Sequence, residues 1–233
     1  MNRLLLKDIN IKINNVTLLD IDNFVFEKGF INTIIGKSGI GKSTLLKVIG
    51  GLVKYEGSIY LDEKELSKHF NIYQARKKVH YVRQDAKFIE GNFFDNIKHL
   101  LSFKINRTIK ITEPEIFNYA EKLGLERELL YKDIKTLSGG EKQRLNIIRS
   151  LLIRPEFILL DEPTSALDIH TEGLLINLLN SIKNKIGIIT VSHSYNFIRH
   201  SDNKILLSDK RLTLFDKNVK EEDIKRFIGG NNA

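Results

Sequence analysis

The segment INTIIGKSGIGKST, residues 31 to 44, restricts the possible folds of this chain more than any other. Ile31 to Ile35 reads as a buried strand and Lys42 to Ile49 as a helix, so the glycines between them turn a strand–loop–helix unit. Gly36-Lys37-Ser38-Gly39-Ile40-Gly41-Lys42-Ser43 fits the spacing G-x-x-x-x-G-K-[ST], and Thr44 follows it. Glycines allow backbone N–H groups to turn inward and crowd a phosphate without interference from a Cβ. The helix that starts there directs its positive end at the same anion. Lys42 is therefore expected to neutralise β- and γ-phosphates, and the Ser43 hydroxyl to ligate Mg²⁺. An ordinary glycine turn is the alternative, and the apolar strand before it and the helix after it argue against that.

A second pattern lies downstream, LSGGEKQRLNIIRSLLIRPEFILLDEPTSALD, residues 137 to 168. The apolar strand Phe157 to Leu160 delivers Asp161 to the carboxyl edge of the sheet, where it can orient Mg²⁺. Glu162 sits one residue on, placed to take a proton from an attacking water. Ser138-Gly-Gly-Glu141 reads as a capping box, with Ser138 at the N-cap and Glu141 at the third helical position. Capping leaves Gly139 and Gly140 unexplained, since each glycine forfeits about 1 kcal/mol of helix propensity relative to alanine. A second phosphate at this helix start would account for them. One nucleotide is already served by Gly36 to Thr44, so the second cradle is expected to serve ATP held by another subunit.

Along the chain, Leu4 to Ile9, Ile11 to Ile13, Val16 to Leu19 and Asn23 to Phe26 read as short strands of an antiparallel region. Ser58 to Leu61 and Val79 to Val82 continue the strand pattern. From Phe88 to Leu152 the periodicity becomes helical, with stripes at Ile116, Ala120, Leu123 and at Leu145, Ile148, Leu152. Strands return at Phe157 to Leu160, Ile186 to Val191 and Lys204 to Leu207. Leu174, Leu175, Leu178, Leu179 and Ile182 mark an amphipathic helix between the first two, and a last helix is expected over Lys220 to Ile228. Alternating strands and helices predict an α/β fold with a mostly parallel sheet, an N-terminal antiparallel β-subdomain and an inserted α-helical subdomain. Residues 1–233 form a single domain in this reading, with a RecA-like core at 1–87 and 153–233 and the helical part at about 88–152.

Composition narrows the context. No apolar run approaches the roughly 18–20 residues that span a bilayer, and the three leucines of MNRLLLKDIN are too few for a secretory signal. The expectation is a soluble, cytoplasmic chain. With no cysteine, disulfides and thiolate metal sites are excluded. The formal charge of +8 comes from lysine spread along the whole chain, which reads as a compositional bias, and no nucleic-acid partner is expected.

Taken together, GKSGIGKST, LSGGEKQR and LLDEPTSALD resemble the ATP-binding subunits of the ABC transporter family, over essentially the whole chain from Leu4 to Ile228. The resemblance implies a P-loop NTPase fold and a head-to-tail dimer, with two ATP molecules held between one subunit's glycine loop and the other's LSGGE. It implies that Gln84 in YVRQD contacts Mg²⁺ and the attacking water, and that Glu162 is the catalytic base. Ser165 to Asp168 would form a dimer-interface loop, and His193 in VSHS would contact the γ-phosphate. The catalytic set is then Lys42, Gln84, Glu162 and His193. The nucleotide set is residues 36 to 44, with Ser138, Gly139 and Gly140 acting in trans, and the Mg²⁺ set is Ser43, Gln84 and Asp161.

Implied partners are a second copy or homologous ATPase subunit and an integral membrane permease, with the chain peripheral on the cytoplasmic face of the membrane. Phe88, Phe93, Phe94 and Ile97 are candidates to line the groove that grips the permease. Two departures stand out. Ile13 occupies the region where an aromatic often stacks on adenine, and Arg83 stands where proline often precedes the Q-loop glutamine. Residues Tyr81 to Ile97 resemble small export-type subunits. A cell-division type ATPase with a membrane partner is the competing reading, while a GTPase or phosphotransferase would lack LSGGE.

Overall fold

The computed structural model describes residues 3–13, 16–215, 222 and 227. The helix expected over 220–228 lies outside the described residues apart from Glu222 and Phe227, as does the side chain of Ile13. Two sheets enclose one helix. The first is antiparallel, in the order β2 (Val16–Glu27), β1 (Arg3–Ile13), β4 (Glu56–Leu61), β5 (Lys64–Glu65). The second runs β10 (Arg211–Leu214), β9 (Asn203–Ser208), β3 (Ile31–Ile35), β8 (Gly187–Val191), β7 (Phe157–Asp161), β6 (Val79–Val82). It is parallel throughout except for the β9–β10 hairpin. The Asp20 N–H donates to the Lys210 carbonyl at 2.9 Å, joining the first sheet to the turn between β9 and β10.

Helix α1 (Lys42–Ile49) lies between the sheets and buries Leu45, Leu46, Val48 and Ile49. Strand β7 shows why both faces of the parallel sheet are apolar. Phe157 and Leu159 face the α1 side, whereas Ile158 and Leu160 face a second cluster built with the helices. Those helices are α4 (Phe93–Ser102), α5 (Glu113–Lys122), α6 (Gly139–Leu152) and α7 (Ile169–Ile182), and they cover one face of the sheet. The stripes Ile116, Ala120, Leu123 and Leu145, Ile148, Leu152 are all buried there, as the periodicity predicts.

The N-terminal region departs from expectation. The four short runs are two long strands, Arg3–Ile13 and Val16–Glu27, paired along nearly their whole length. Asp20 and Asp22 are not breaks; they are the outward residues of a half-buried strand whose Leu19 and Ile21 point inward. Asp8 stays within β1 by adopting φ +52°, where the register against β4 shifts. Helix α2 (Leu66–His69) and helix α3 (Ile72–Lys78), which precede β6, were not anticipated. For α3 the signal was present, because Asn71 and Gln74 form a reciprocal capping box. Helix α8 (Tyr195–Arg199) completes the fold.

Candidate active site

β3 delivers the chain into the glycine loop, and Gly41 occupies the N-cap of α1 at φ +110°, a left-handed conformation that a Cβ makes unfavourable. No side chain caps that helix start, so its first-turn N–H groups are left for an anionic ligand. Lys42 is buried under the loop, and its Nζ donates to the carbonyls of Gly36 at 2.8 Å and Lys37 at 2.9 Å. Burial lowers its pKa, while Glu162 and Asp161 nearby act in the opposite direction.

The strand ends bring the acids to the same place. Ser43 Oγ donates to Asp161 Oδ1 at 2.8 Å, and the Tyr81 hydroxyl donates to Asp161 Oδ2 at 2.6 Å. Burial, then the hydrogen bond to Asp161, raises the Tyr81 pKa, so the phenol keeps its proton. Glu162 follows at φ +49°, a strained conformation for a non-glycine residue. Its N–H donates to the Val191 carbonyl at 3.0 Å, and its own carbonyl accepts from Gln143 Nε2 at 2.8 Å and from the Ser165 N–H at 3.3 Å. The side chain is only 15% exposed. Desolvation raises its pKa to about 7, aided by Asp161 and opposed by the His193 N–H and by Lys42.

The His193 N–H donates to Glu162 Oε2 at 3.2 Å, and the ring Nε2 lies 3.3 Å from Oε1. Burial lowers the His193 pKa below its ordinary value, so at neutral pH the imidazole is neutral and its approach to Glu162 is not an ion pair.

Lys42, Ser43, Gln84, Glu162 and His193 line one cavity of about 720 Å³, together with Leu18, Ser38, Gly39, Gly41, Thr44, Thr164, Ser165 and Ser194. The sequence-predicted catalytic residues thus meet in one place. Among the described residues no three His, Asp or Glu side chains cluster as a metal site by themselves. Ser43, Asp161 and Gln84 offer only oxygen donors of the kind a hard divalent cation uses, and the remaining ligands would have to be phosphate oxygens and water.

Ser138, Gly139 and Gly140 are not part of this lining. They open α6, where the reciprocal capping box is formed, with Ser138 N–H to Glu141 Oε2 at 2.7 Å and Glu141 N–H to Ser138 Oγ at 3.2 Å. A Cβ on Gly140 would sit 2.7 Å from the Ala166 carbonyl oxygen, whereas one on Gly139 would find its nearest atom, Ala166 Cβ, at 3.8 Å. Gly140 thus has a reason in the chain's own packing besides any ligand, and Gly139 alone is left without an internal one.

Two of the four residues expected to line the docking groove need correction. Phe93 and Ile97 are core residues, 0% and 5% exposed. Phe94 packs against Tyr131 and Phe117, and Phe88 lies under the Arg149 guanidinium. Aromatics spaced along an amphipathic helix served the core here. Sequence reasoning missed Leu18, Thr164 and Ser194 in the lining, and also Tyr81 and Gln143, which hold Asp161 and the Glu162 backbone. Tyr81 and Gln143 stand within quoted motifs, YVRQD and LSGGEKQR, yet nothing in the spacing marks their contacts.

The family model described as ABC transporter matches residues 19–165. The phosphate import ATP-binding protein PstB of Saccharolobus solfataricus is 37% identical over 206 residues, covering 83% of this chain and 74% of that protein. This chain belongs to the ABC transporter family. It is an ABC-type ATPase domain. The molybdate/tungstate import ATP-binding protein WtpC of Methanocaldococcus jannaschii is 38% identical over 69% of the chain, and the spermidine/putrescine import ATP-binding protein PotA of Borreliella afzelii is 36% identical over 77% of it. The chain spans about half the length of those two relatives, 52% in each case.

Among solved structures, a bacterial Atm1-family ABC exporter with ATP bound superposes with a TM-score of 0.81 at 22% identity, over 97% of this chain and 42% of that one. CbiO1 of Clostridium perfringens, part of the transporter complex cbiONQ, gives 0.76 at 24% identity, over 92% and 88%. These likenesses establish the fold. No helix among the described residues is long and apolar enough to cross a membrane.

Proposed function

We propose that this chain is the ATP-hydrolysing subunit of an ABC transporter, working as a head-to-tail pair and driving a separate membrane permease. The observation that carries the reading is the single cavity in which Lys42, Ser43, Gln84, Glu162 and His193 converge, with Ser138, Gly139 and Gly140 outside it. The loop 36–44 and the first turn of α1 bind the phosphates, and Lys42 exchanges its carbonyl partners for phosphate oxygens. Ser43, with Asp161 and Gln84 near, would hold Mg²⁺, which would neutralise charge on the phosphate oxygens. Glu162 accepts a proton from the attacking water. Its desolvated carboxylate is a stronger base than an ordinary glutamate, and a pKa near 7 suits that task. His193 fixes the Glu162 carboxylate through its N–H and presents its ring to the γ-phosphate. Ser138, Gly139 and Gly140 address the nucleotide of the other subunit.

Beside the phosphate cavity lies a mostly apolar hollow of about 350 Å³ lined by Val16, Thr17, Leu18, Ile40, Asp209 and Lys210. It shares Leu18 with the phosphate cavity, and we assign it to the adenine ring, by apolar contact in place of aromatic stacking. For the permease, the groove between α3 and the short 3₁₀ turn Lys104–Asn106 takes the place of the buried Phe93 and Ile97. Tyr73 and Phe103 are exposed along it, and Arg76, Lys77 and Lys104 make it basic, while burial keeps His80 neutral. A short segment carrying apolar and acidic side chains fits it, and places the chain on the cytoplasmic face of the membrane. The relatives named above are all named for import, which favours import over the export likeness of residues 81–97. The helical part, residues 88–152, is then the unit inserted in the core.

The test is Glu162→Gln. It is expected to bind ATP, lose turnover and accumulate as an ATP-bound dimer in sedimentation analysis. A variant that stays monomeric with ATP, or hydrolyses it at the wild-type rate, would overturn the mechanism.

A further inference from the structure

We infer that Gln143 is a positioning residue for hydrolysis, an amide clamp on helix α6 that fixes the backbone turn carrying Glu162. Gln143 lies in the second turn of α6, one helical turn beyond Gly139 and Gly140 on the same helix. It is 5% exposed, so its amide is removed from water and every hydrogen bond it makes is to the protein. Its Nε2 donates to the Glu162 carbonyl at 2.8 Å and reaches Ser165 Oγ at 3.4 Å, while its Oε1 accepts from the Ala166 N–H at 3.2 Å. One side chain therefore holds both ends of the turn 162–166.

That turn needs holding. Glu162 sits at φ +49°, a conformation that costs on the order of 1–3 kcal/mol and persists only where surroundings over-determine it. The Val191 carbonyl fixes its N–H from the sheet side, and Gln143 fixes its carbonyl from the helix side. Gly140 brings α6 close enough for this, since no Cβ intervenes between it and the Ala166 carbonyl. A small shift at the start of α6 is thus transmitted through the Gln143 amide to the backbone of Glu162. The clamp rests on the assignment of Glu162 as the base, and it gives one chain's two half-sites a direct mechanical link: what contacts Ser138 and Gly139 sets where Glu162 points.

The experiment compares wild type with Gln143→Leu, which keeps a similar volume and removes all three side-chain hydrogen bonds. Hydrogen exchange of the Ala166 amide in the nucleotide-free chain is expected to rise at least tenfold in the variant while β7 amides are unchanged. The turnover number is expected to fall at least tenfold, with the Kd for MgATP, read by fluorescence titration of the chain, within twofold of wild type. Unchanged Ala166 exchange, turnover within twofold of wild type, or a Kd weakened as much as turnover would each overturn the proposal. Gln143→Glu serves if the leucine variant does not fold, since it retains the acceptor for Ala166 and loses the donor to Glu162; there Ala166 stays protected and turnover still falls. A wild-type chain with no ATPase activity would refute the functional reading instead, and the exchange result would stand apart from it.

Discussion

At the scale of single residues, Glu162 combines a strained backbone with a desolvated carboxylate, and its titration has a sign that can be followed. Below the ordinary glutamate pKa of 4.5 it is neutral in both folded and unfolded chains. Between 4.5 and about 7 the unfolded chain releases the proton and the folded chain keeps it, so stability falls as pH rises through this window and is level above it. The loss is at most about 3 kcal/mol. Glu162→Gln removes it: urea denaturation at pH 8 is expected to show the variant more stable than wild type, with the gap closing towards pH 5. The same proton must leave before the carboxylate can act as a base, so kcat/KM for ATP is expected to climb through about pH 7. Tyr81 offers a second residue-scale test. Tyr81→Phe deletes the hydroxyl that holds Asp161 Oδ2, and the Mg²⁺ concentration for half-maximal activity is expected to rise about tenfold, measured by Mg²⁺ titration at saturating ATP.

At the scale of the element, α6 separates two glycines that look equivalent in the sequence. Gly140→Ala drives a Cβ to 2.7 Å from the Ala166 carbonyl, and is expected to destabilise the chain by about 1–3 kcal/mol despite the better helix propensity of alanine. Gly139→Ala meets nothing closer than 3.8 Å, so thermal unfolding of the isolated chain should be unchanged or slightly raised while ATP-driven dimer formation weakens. The same contrast shows what could be read beforehand. Strand–loop–helix units with strict spacing, such as Ile31 to Ile49 and Phe157 to Glu162, were legible because burial, turn chemistry and capping coincide within a few residues. The Ser138–Glu141 capping box was legible for the same reason. Gln143 and Tyr81 were not, because their partners are 19 and 80 residues away, a separation that only the folded sheet removes. Phe93 and Ile97 misled for a related reason: a helical apolar stripe has the same period whether core or partner covers it.

For the molecule as a whole, Ile72, Tyr73 and Phe103 are exposed apolar residues on or beside α3 and the Lys104–Asn106 turn, the groove proposed for the permease. Replacing Tyr73 and Phe103 together by serine should leave ATP affinity of the isolated chain unchanged and abolish its recovery with membranes in flotation assays. Overall architecture, a parallel sheet flanked by helices with an antiparallel sheet at its N-terminus, was legible from strand–helix alternation. The two long antiparallel strands were not, because Asp8, Asp20 and Asp22 look like chain breaks until a paired strand makes them outward-facing residues of a continuous ladder.

The position of β3 has a consequence for how such a chain comes to be folded. Ile31–Ile35 is paired on one edge by Gly187–Val191 and on the other by Asn203–Ser208. During synthesis the glycine loop leaves the ribosome well before its supporting strand can gain either neighbour, since Gly187–Val191 and Asn203–Ser208 are made much later. For all that time five consecutive positions, each buried in the finished protein, stand with both edges open. Parallel pairings across such separations close slowly. An apolar strand with both edges open is a site for unwanted pairing until they close, so the segment that later binds nucleotide is the one most exposed to misfolding on the way to this fold.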